Sequence, residues 1–207
     1  AIVPFHIGAE RFAARGAALA ALAGRLARRA ADAGHVRVAG SLPPPFGSYR
    51  ADLFDPAHAE EILAALVAGI APHVDLWLAE TQSSIAALQA AAHAISHHHK
   101  PFWASFTIED EVSTRPSLRS GESVAAAIHA ALELSAEAIL FNCSQPEVMG
   151  AAIETARDEI GRAGRTVRVG AYANAFPPQP KDAAANDGLD ILRDESVHLA
   201  FGSDLVN

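Results

Sequence analysis

The stretch AILFNCSQPEVM, residues 138–149, changes from a strand pattern to a helix pattern over a single turn. Its first part is apolar and ends in Asn142 and Cys143, and Pro146 opens the part that follows. A short apolar run bounded by turn residues is typical of a buried strand, and proline is favoured in the first turn of a helix. The stretch therefore predicts one strand–turn–helix unit with Cys143 at the carboxyl end of the strand.

The same unit recurs along the chain. Five apolar runs predict strands: VRVAGS (36–41), VDLWLAET (74–81), PFWASFTI (101–108), AILFNCS (138–144) and VRVGAYAN (167–174). Alanine-rich helical segments lie between them (57–71, 83–97, 121–135 and 146–164), and a long helix, about Glu10 to Ala33, precedes the first strand. Continuously apolar strands that alternate with helices predict a parallel sheet with right-handed crossovers.

Two α/β architectures contain such units: an open doubly wound sheet and a closed (β/α)8 TIM-type barrel. No G-x-G-x-x-G pattern follows the first strand, so the main sign of a dinucleotide-binding sheet is missing. Chemically distinctive residues instead fall at the carboxyl ends of several strands: Glu80, Thr81, Cys143, Tyr172 and Asn174. In a barrel these ends share the face that carries the active site, which favours the barrel.

The length of the chain predicts one domain over residues 1–207 but an incomplete barrel. Eight units usually need about 250 residues, and five are clear here. The tail SVHLAFGSDLVN (196–207) could hold a sixth strand, VHLAFG. We therefore expect that the N-terminal and C-terminal strands of the barrel are either lost from the protein or lie outside this sequence.

Composition argues against several classes of protein. The net charge of -8 argues against nonspecific nucleic-acid binding, and no apolar run is long enough to span a bilayer. One cysteine cannot form an internal disulfide, and the first residues lack the features of a signal peptide. We expect a cytoplasmic protein with no nucleic-acid or membrane partner, and the oligomeric state stays open.

Cys143 and Glu80 are the leading candidates for chemistry. Cys143 could be a small buried apolar residue, a nucleophile or a zinc ligand, and the helix that follows predicts a lowered thiol pKa. A zinc site would need two or three further ligands. Glu80 could pair with a lysine or arginine, hold the ammonium group of a substrate, or act as a general base.

Other polar segments have simpler interpretations. The run His97, His98 and His99 is predicted at a helix end on the opposite face, where solvation and the helix dipole explain it, although His93 and His97 could chelate adventitious metal. The loop at 40–54, with Tyr49 and Arg50, predicts a substrate wall or a rigid connector. The polar, proline-rich composition of the loop at 172–190 predicts a lid or a mobile segment.

Taken together, these motifs resemble the homocysteine S-methyltransferase family. The resemblance rests on AGSLPPPFGSYRADLF, DLWLAETQSSIAALQAA, PFWASFTIED with the later SGES, FNCSQPEVM and YANAFPPQP, and it covers about residues 36–190. It implies a (β/α)8 barrel in which zinc activates the thiol of homocysteine. A methyl group from S-methylmethionine, S-adenosylmethionine, betaine or a folate then yields methionine.

The resemblance also implies roles for single residues. Cys143 corresponds to the first of three cysteine zinc ligands, and Glu80 to the acidic residue that binds the amino group of homocysteine. Thr81, Tyr172 and Asn174 would line the same substrate site. The segment SLPPPFGSYR suggests a sulfonium donor, S-methylmethionine or S-adenosylmethionine.

Two family features are absent: the paired cysteines of a Gly-Gly-Cys-Cys segment, and the Asp-Gly-Gly stretch of the first strand. Three hypotheses follow from this. The chain is a methyltransferase whose sequence lacks segments, or it is a degenerate member that binds a small molecule without methyl transfer. The third is a different barrel enzyme that uses Glu80 and Cys143 in acid–base or nucleophilic chemistry.

Overall fold

The structure is a computed structural model that describes residues 1–32 and 36–178. Within these ranges, α-helices and parallel strands alternate after two helices at the start. The helices are α1 (Pro4–Ile7), α2 (Ala9–Asp32), α3 (Pro56–Ile70), α4 (Ile85–Ala94), α5 (Val124–Glu133) and α6 (Pro146–Arg162). The strands are β1 (Ala39–Leu42), β2 (Leu76–Gln82), β3 (Phe102–Phe106), β4 (Ala138–Asn142) and β5 (Arg168–Tyr172).

Side chains that bind free backbone amides explain where several helices begin. The Asp55 carboxylate accepts hydrogen bonds from the first amides of α3, and the Ser84 and Ser123 hydroxyls do the same for α4 and α5. Pro146 occupies the first turn of α6, as the sequence predicts. These helix starts are therefore fixed by local sequence.

The five strands form one parallel sheet in the sequential order β1-β2-β3-β4-β5. A doubly wound sheet reverses its strand order at a switch point, whereas barrel strands follow one another around the axis. The order thus confirms the α/β class and the five parallel strands, of which β1 to β4 are each followed by an α-helix within the described residues, and it agrees with the barrel type. Because all strands are parallel, their carboxyl ends lie along one edge.

A bulge interrupts the pairing of β2 with β3. Ala79 pairs with Ala104 and Gln82 pairs with Phe106, so three residue steps in β2 face two steps in β3. The extra residue of β2 falls at Glu80–Thr81, where Thr81 has a left-handed φ of 62°. A bulge redirects the side chains beside it, and here these are the side chains of two candidate site residues.

The hydrophobic core lies between one face of the sheet and the helices. Its buried strand residues include Trp77, Phe106, Ile139 and Phe141. Leu78, Trp103 and Leu140, which alternate with buried strand residues, are half-buried. Because successive side chains of a strand point to opposite faces, the two faces of the sheet differ in burial.

Polar contacts hold the amino ends of the strands. Arg28 of α2 forms an ion pair with Asp75 at 2.8 Å, and the Asp75 carboxylate accepts a hydrogen bond from Val38 N. The Lys100 Nζ donates to two carbonyls between α3 and β2, and it lies 5.9 Å from the Trp77 ring. This end of the sheet is therefore fixed by contacts remote from the candidate site.

The structure corrects several details of the predicted elements. Helix α1 was not predicted, and β1 spans Ala39–Leu42 rather than 36–41. Helix α4 ends at Ala94, so the prediction that the 97–99 histidines end a helix is wrong, because they lie in the turn before β3. The tail at 196–207, and the loop at 172–190 beyond residue 178, lie outside the described residues. No helix in the described part is both long and apolar enough to cross a membrane.

Candidate functional site

The carboxyl edge of the sheet brings four of the predicted site residues into one hydrogen-bonded group. Glu80 and Thr81 lie just before the end of β2, Cys143 follows β4, and Tyr172 ends β5. Asn174 follows β5 but is buried, and its backbone N donates to the Ser144 carbonyl at 2.9 Å. Asn174 is therefore a buried residue that contacts the segment after β4, rather than a member of the hydrogen-bonded group.

The Glu80 carboxylate is held at both oxygens by hydroxyl groups. Ser41 Oγ donates to Oε2 at 2.6 Å, and the Tyr172 hydroxyl lies 3.2 Å from Oε1 and donates to it. Glu80 is half-buried, and no lysine or arginine of the described residues pairs with it. The carboxylate thus presents a fixed negative charge, without a cation of its own within residues 1–32 and 36–178.

Cys143 lies on the same edge, with its backbone in the left-handed region at φ 53°. Asn142 Nδ2 donates to its Sγ at 3.1 Å, and Thr81 Oγ1 lies 3.7 Å from the sulfur. Non-glycine residues with positive φ are uncommon, and they often lie at functional sites. Thr81, near the end of β2, and Cys143, just after β4, both have this conformation.

The predicted lowering of the Cys143 pKa is wrong. Burial raises the pKa of the thiol, and the charge of Glu80 raises it further, against the opposing effects of the Thr81 and Asn142 hydrogen bonds. The backbone N–H of Gln145, just before α6, donates to the Asp110 carboxylate rather than to the sulfur. Burial of the thiol therefore outweighs the expected effect of the helix N-terminus.

Two buried polar side chains link the Glu80 end of the site to the Cys143 end. The Tyr172 hydroxyl lies 3.1 Å from Ser105 Oγ, and Ser105 Oγ donates to Asn142 Oδ1 at 2.8 Å. Asn142 Nδ2 donates to Thr81 Oγ1 at 2.7 Å as well as to the Cys143 sulfur. Ser105 was not predicted as a site residue, although a serine inside the apolar run FWASF was a usable signal.

The predicted wall at 40–54 reaches this group through Tyr49. The Tyr49 hydroxyl donates to the Cys143 carbonyl at 3.2 Å, and its ring lies 4.8 Å from the Arg119 guanidinium. Arg119 is nearly buried and forms an ion pair with Asp110 at 2.8 Å. Arg50, the other residue named in this loop, makes two hydrogen bonds to Asp52.

The described residues do not fit a zinc centre. Within them, no group of three or more histidine, cysteine, aspartate or glutamate side chains converges. Cys143 is the only cysteine of the sequence, and the groups that contact its sulfur are the Asn142 amide and the Thr81 hydroxyl. A structural or catalytic zinc site needs at least three protein ligands, so the site supplies one of them.

Comparison with known families decides the classification. The sequence matches the family model described as homocysteine S-methyltransferase over residues 4–197. The chain belongs to the homocysteine S-methyltransferase family. The resemblance stated from the motifs is thereby confirmed, and the match extends beyond the residues 36–190 that carry those motifs.

Solved structures agree with the fold of this homocysteine S-methyltransferase family member. The apo form of the homocysteine methyltransferase MmuM from Escherichia coli is 20% identical, with a TM-score of 0.58 over 76% of this chain and 68% of that chain. The oxidized form is also 20% identical, with a TM-score of 0.60 over 77% and 70%. No curated protein sequence matches the chain. At this identity the structural likeness supports the fold.

Proposed function

We propose that the chain binds homocysteine at the carboxyl edge of its sheet and transfers to it a methyl group from a sulfonium donor. Membership of the homocysteine S-methyltransferase family supports methyl transfer to homocysteine in general. The donors proposed are S-methylmethionine and S-adenosylmethionine, and the product is methionine.

The main support for the proposal is the way in which two hydroxyl groups hold the Glu80 carboxylate. Its two oxygens are held by the Ser41 and Tyr172 hydroxyls, so the carboxylate has a fixed direction while its charge stays available. An ammonium group is the natural partner for such a carboxylate. We therefore assign the amino group of homocysteine to Glu80 and its sulfur to the Cys143 end of the group.

The proposed reaction balances without an oxidant or a separate general base. The thiolate sulfur of homocysteine forms a bond to the methyl carbon while the bond from that carbon to the donor sulfonium breaks. The electron pair stays on the donor sulfur, which becomes a neutral thioether, and the thiol proton is lost to solvent. The protein contributes mainly by holding the two reactants close together and in line.

The single cysteine favours a second candidate function, which is binding of homocysteine without methyl transfer. Zinc activation, implied by the family resemblance, needs thiolates besides Cys143, and the described residues do not provide them. The two functions differ in a measurable product, so one set of assays separates them.

The first experiment measures binding and turnover on the same preparation. Calorimetry gives the dissociation constant for homocysteine under reducing conditions. Mass spectrometry then follows labelled methionine formed from homocysteine that carries deuterium on its side-chain carbons, with unlabelled S-methylmethionine and S-adenosylmethionine tested in parallel as donors. Both assays are run with and without added zinc.

Glu80→Gln tests the assignment of the amino group, and Glu154→Gln on the exposed side of α6 is the matched control. Hydrogen bonds to charged groups contribute about 1.5–3 kcal/mol, so Glu80→Gln should weaken binding roughly ten- to a hundred-fold. Binding with labelled methionine supports methyl transfer, and binding without it supports the second candidate. Wild-type protein that does not bind homocysteine would refute both.

A further inference from the structure

Ser105 is a fully buried polar residue that the proposed binding of homocysteine does not itself require. It lies in the apolar strand β3, and its neighbours Ala104 and Phe106 belong to the hydrophobic core. Burial of a hydroxyl is unfavourable unless it is hydrogen-bonded, and Ser105 is bonded to Asn142 and Tyr172. Its position between the two ends of the site suggests a role beyond packing.

The role follows from the two ends of an asparagine amide. Oδ1 can only accept hydrogen bonds, and Nδ2 can only donate them. Ser105 donates to Oδ1 at 2.8 Å, which turns Nδ2 toward Thr81 Oγ1 and the Cys143 sulfur. A rotated amide would present Oδ1 to the sulfur and Nδ2 to Ser105 Oγ, so the Ser105 hydroxyl proton would lose the acceptor that it has in the structure.

Proton counting extends the same constraint to the Glu80 end. Ser105 has one hydroxyl proton, and Asn142 Oδ1 receives it, so the contact with Tyr172 uses Ser105 as the acceptor. Tyr172 also has one proton, shared between Ser105 and Glu80 Oε1.

We propose that Ser105 is a positioning residue. It fixes the Asn142 amide with its N–H groups toward Thr81 and the Cys143 sulfur, and it connects this end of the site to Tyr172 and Glu80. The orientation of the amide is a property of the free protein. Its effect on a ligand rests on the proposed function, since it requires the sulfur of homocysteine to lie at the Cys143 end.

The first test needs no ligand. The sequence contains four asparagines (Asn142, Asn174, Asn186 and Asn207) and four glutamines (Gln82, Gln89, Gln145 and Gln179), so the side-chain amide signals in a ¹⁵N NMR spectrum can be assigned by substitution. Ser105→Ala should speed solvent exchange of the Asn142 side-chain amide protons about tenfold, which is about 1.4 kcal/mol of lost protection.

Ser144→Ala is the matched control for this measurement. Its hydroxyl is equally buried and close to Cys143, but it is hydrogen-bonded to Ile108, to Thr107 and to the backbone carbonyl of Asn142 rather than to the Asn142 side-chain amide. The control should leave exchange of the amide unchanged. An unchanged amide in Ser105→Ala, or equal effects of the two substitutions, would overturn the proposal.

The second test compares homocysteine with 2-aminobutyrate, which has the same amino acid group but no sulfur. Ser105→Ala should raise the dissociation constant for homocysteine about tenfold and that for 2-aminobutyrate less than twofold, because the Asn142 amide at the sulfur end loses its orienting hydrogen bond while Tyr172 keeps its hydrogen bond to Glu80. Equal weakening of both ligands would indicate a merely structural role and overturn the proposal. If the wild type binds neither ligand, the proposed function fails, and the amide measurement alone decides the role of Ser105.

Discussion

The buried ion pair behind the site should dominate the response of the fold to a single substitution. Arg119 is 4% exposed at its side chain and Asp110 is 11% exposed, and their atoms are 2.8 Å apart. Asp110 also accepts the hydrogen bond from the Gln145 amide before α6. Asp110→Asn preserves the shape of the side chain but leaves the Arg119 charge without its closest partner.

The expected cost can be worked from this geometry. Removal of one partner of a buried ion pair costs about 3–5 kcal/mol. Glu109 remains 3.7 Å from Arg119 and reduces the loss, so we expect about 3 kcal/mol for Asp110→Asn. For a domain of this size, that loss corresponds to a fall in the melting temperature of about 6–12 °C.

Urea unfolding, followed by the fluorescence of Trp77 and Trp103, measures this cost. Asp52→Asn is the control. Asp52 pairs with Arg50 at 2.7 Å, close to the 2.8 Å between Arg119 and Asp110, but its side chain is exposed. Exposed ion pairs contribute little to stability. The control should leave the unfolding midpoint unchanged. A loss below about 1 kcal/mol for Asp110→Asn would refute the reasoning, since it would mean that the Arg119 charge is solvated or satisfied without Asp110.

Three further predictions concern titration and metal binding. The rate of Cys143 alkylation should have its pH midpoint above the ordinary thiol value of 9.0 in the folded protein, and Glu80→Gln should lower it; a folded midpoint at or below 9.0 would contradict the burial argument. The pKa of Asp75 is held below its ordinary 3.8, first by the Val38 amide and then by Arg28, so its stabilisation is present above 3.8 and is lost as the pH falls through the lower folded value. Asp75→Asn should therefore reduce the loss of stability in acid denaturation, and an identical acid profile would argue against it. Mass-spectrometric metal analysis of untagged protein should give equal zinc contents for wild type and Cys143→Ser, because the groups that contact the Cys143 sulfur are an amide and a hydroxyl; one zinc per chain that disappears in Cys143→Ser would show that Cys143 is a zinc ligand.

The fold could be predicted because its signals are local. Continuous apolar runs, helix-starting side chains and the alternation of the two predicted the parallel sheet and its five βα units. Parallel order then placed the ends of β2, β4 and β5 on one edge without knowledge of any contact. That rule places Glu80, Thr81, Cys143 and Tyr172 on one edge of the sheet, but it does not give the hydrogen bonds that join them.

The features that could not be predicted depend on how the strands pair and on how deeply a side chain is buried. The bulge at Thr81 arises from pairing with β3, and neither strand carries a glycine or proline there to signal it. The pairing of Ser105 with Asn142 requires the register between β3 and β4. The direction of the Cys143 pKa depends on how deeply tertiary packing buries the thiol, which no local pattern encodes.

The extra residue in β2 also limits how this segment can change during evolution. Substitutions at Glu80 or Thr81 alter one side chain at a time and leave the strand in register. Deletion of either residue would make the steps from Ala79 and from Ala104 equal in number, and it would turn the remaining side chain away from its present direction. Descendants of this sequence should therefore keep the length of this segment constant, whether or not the residue types in it change.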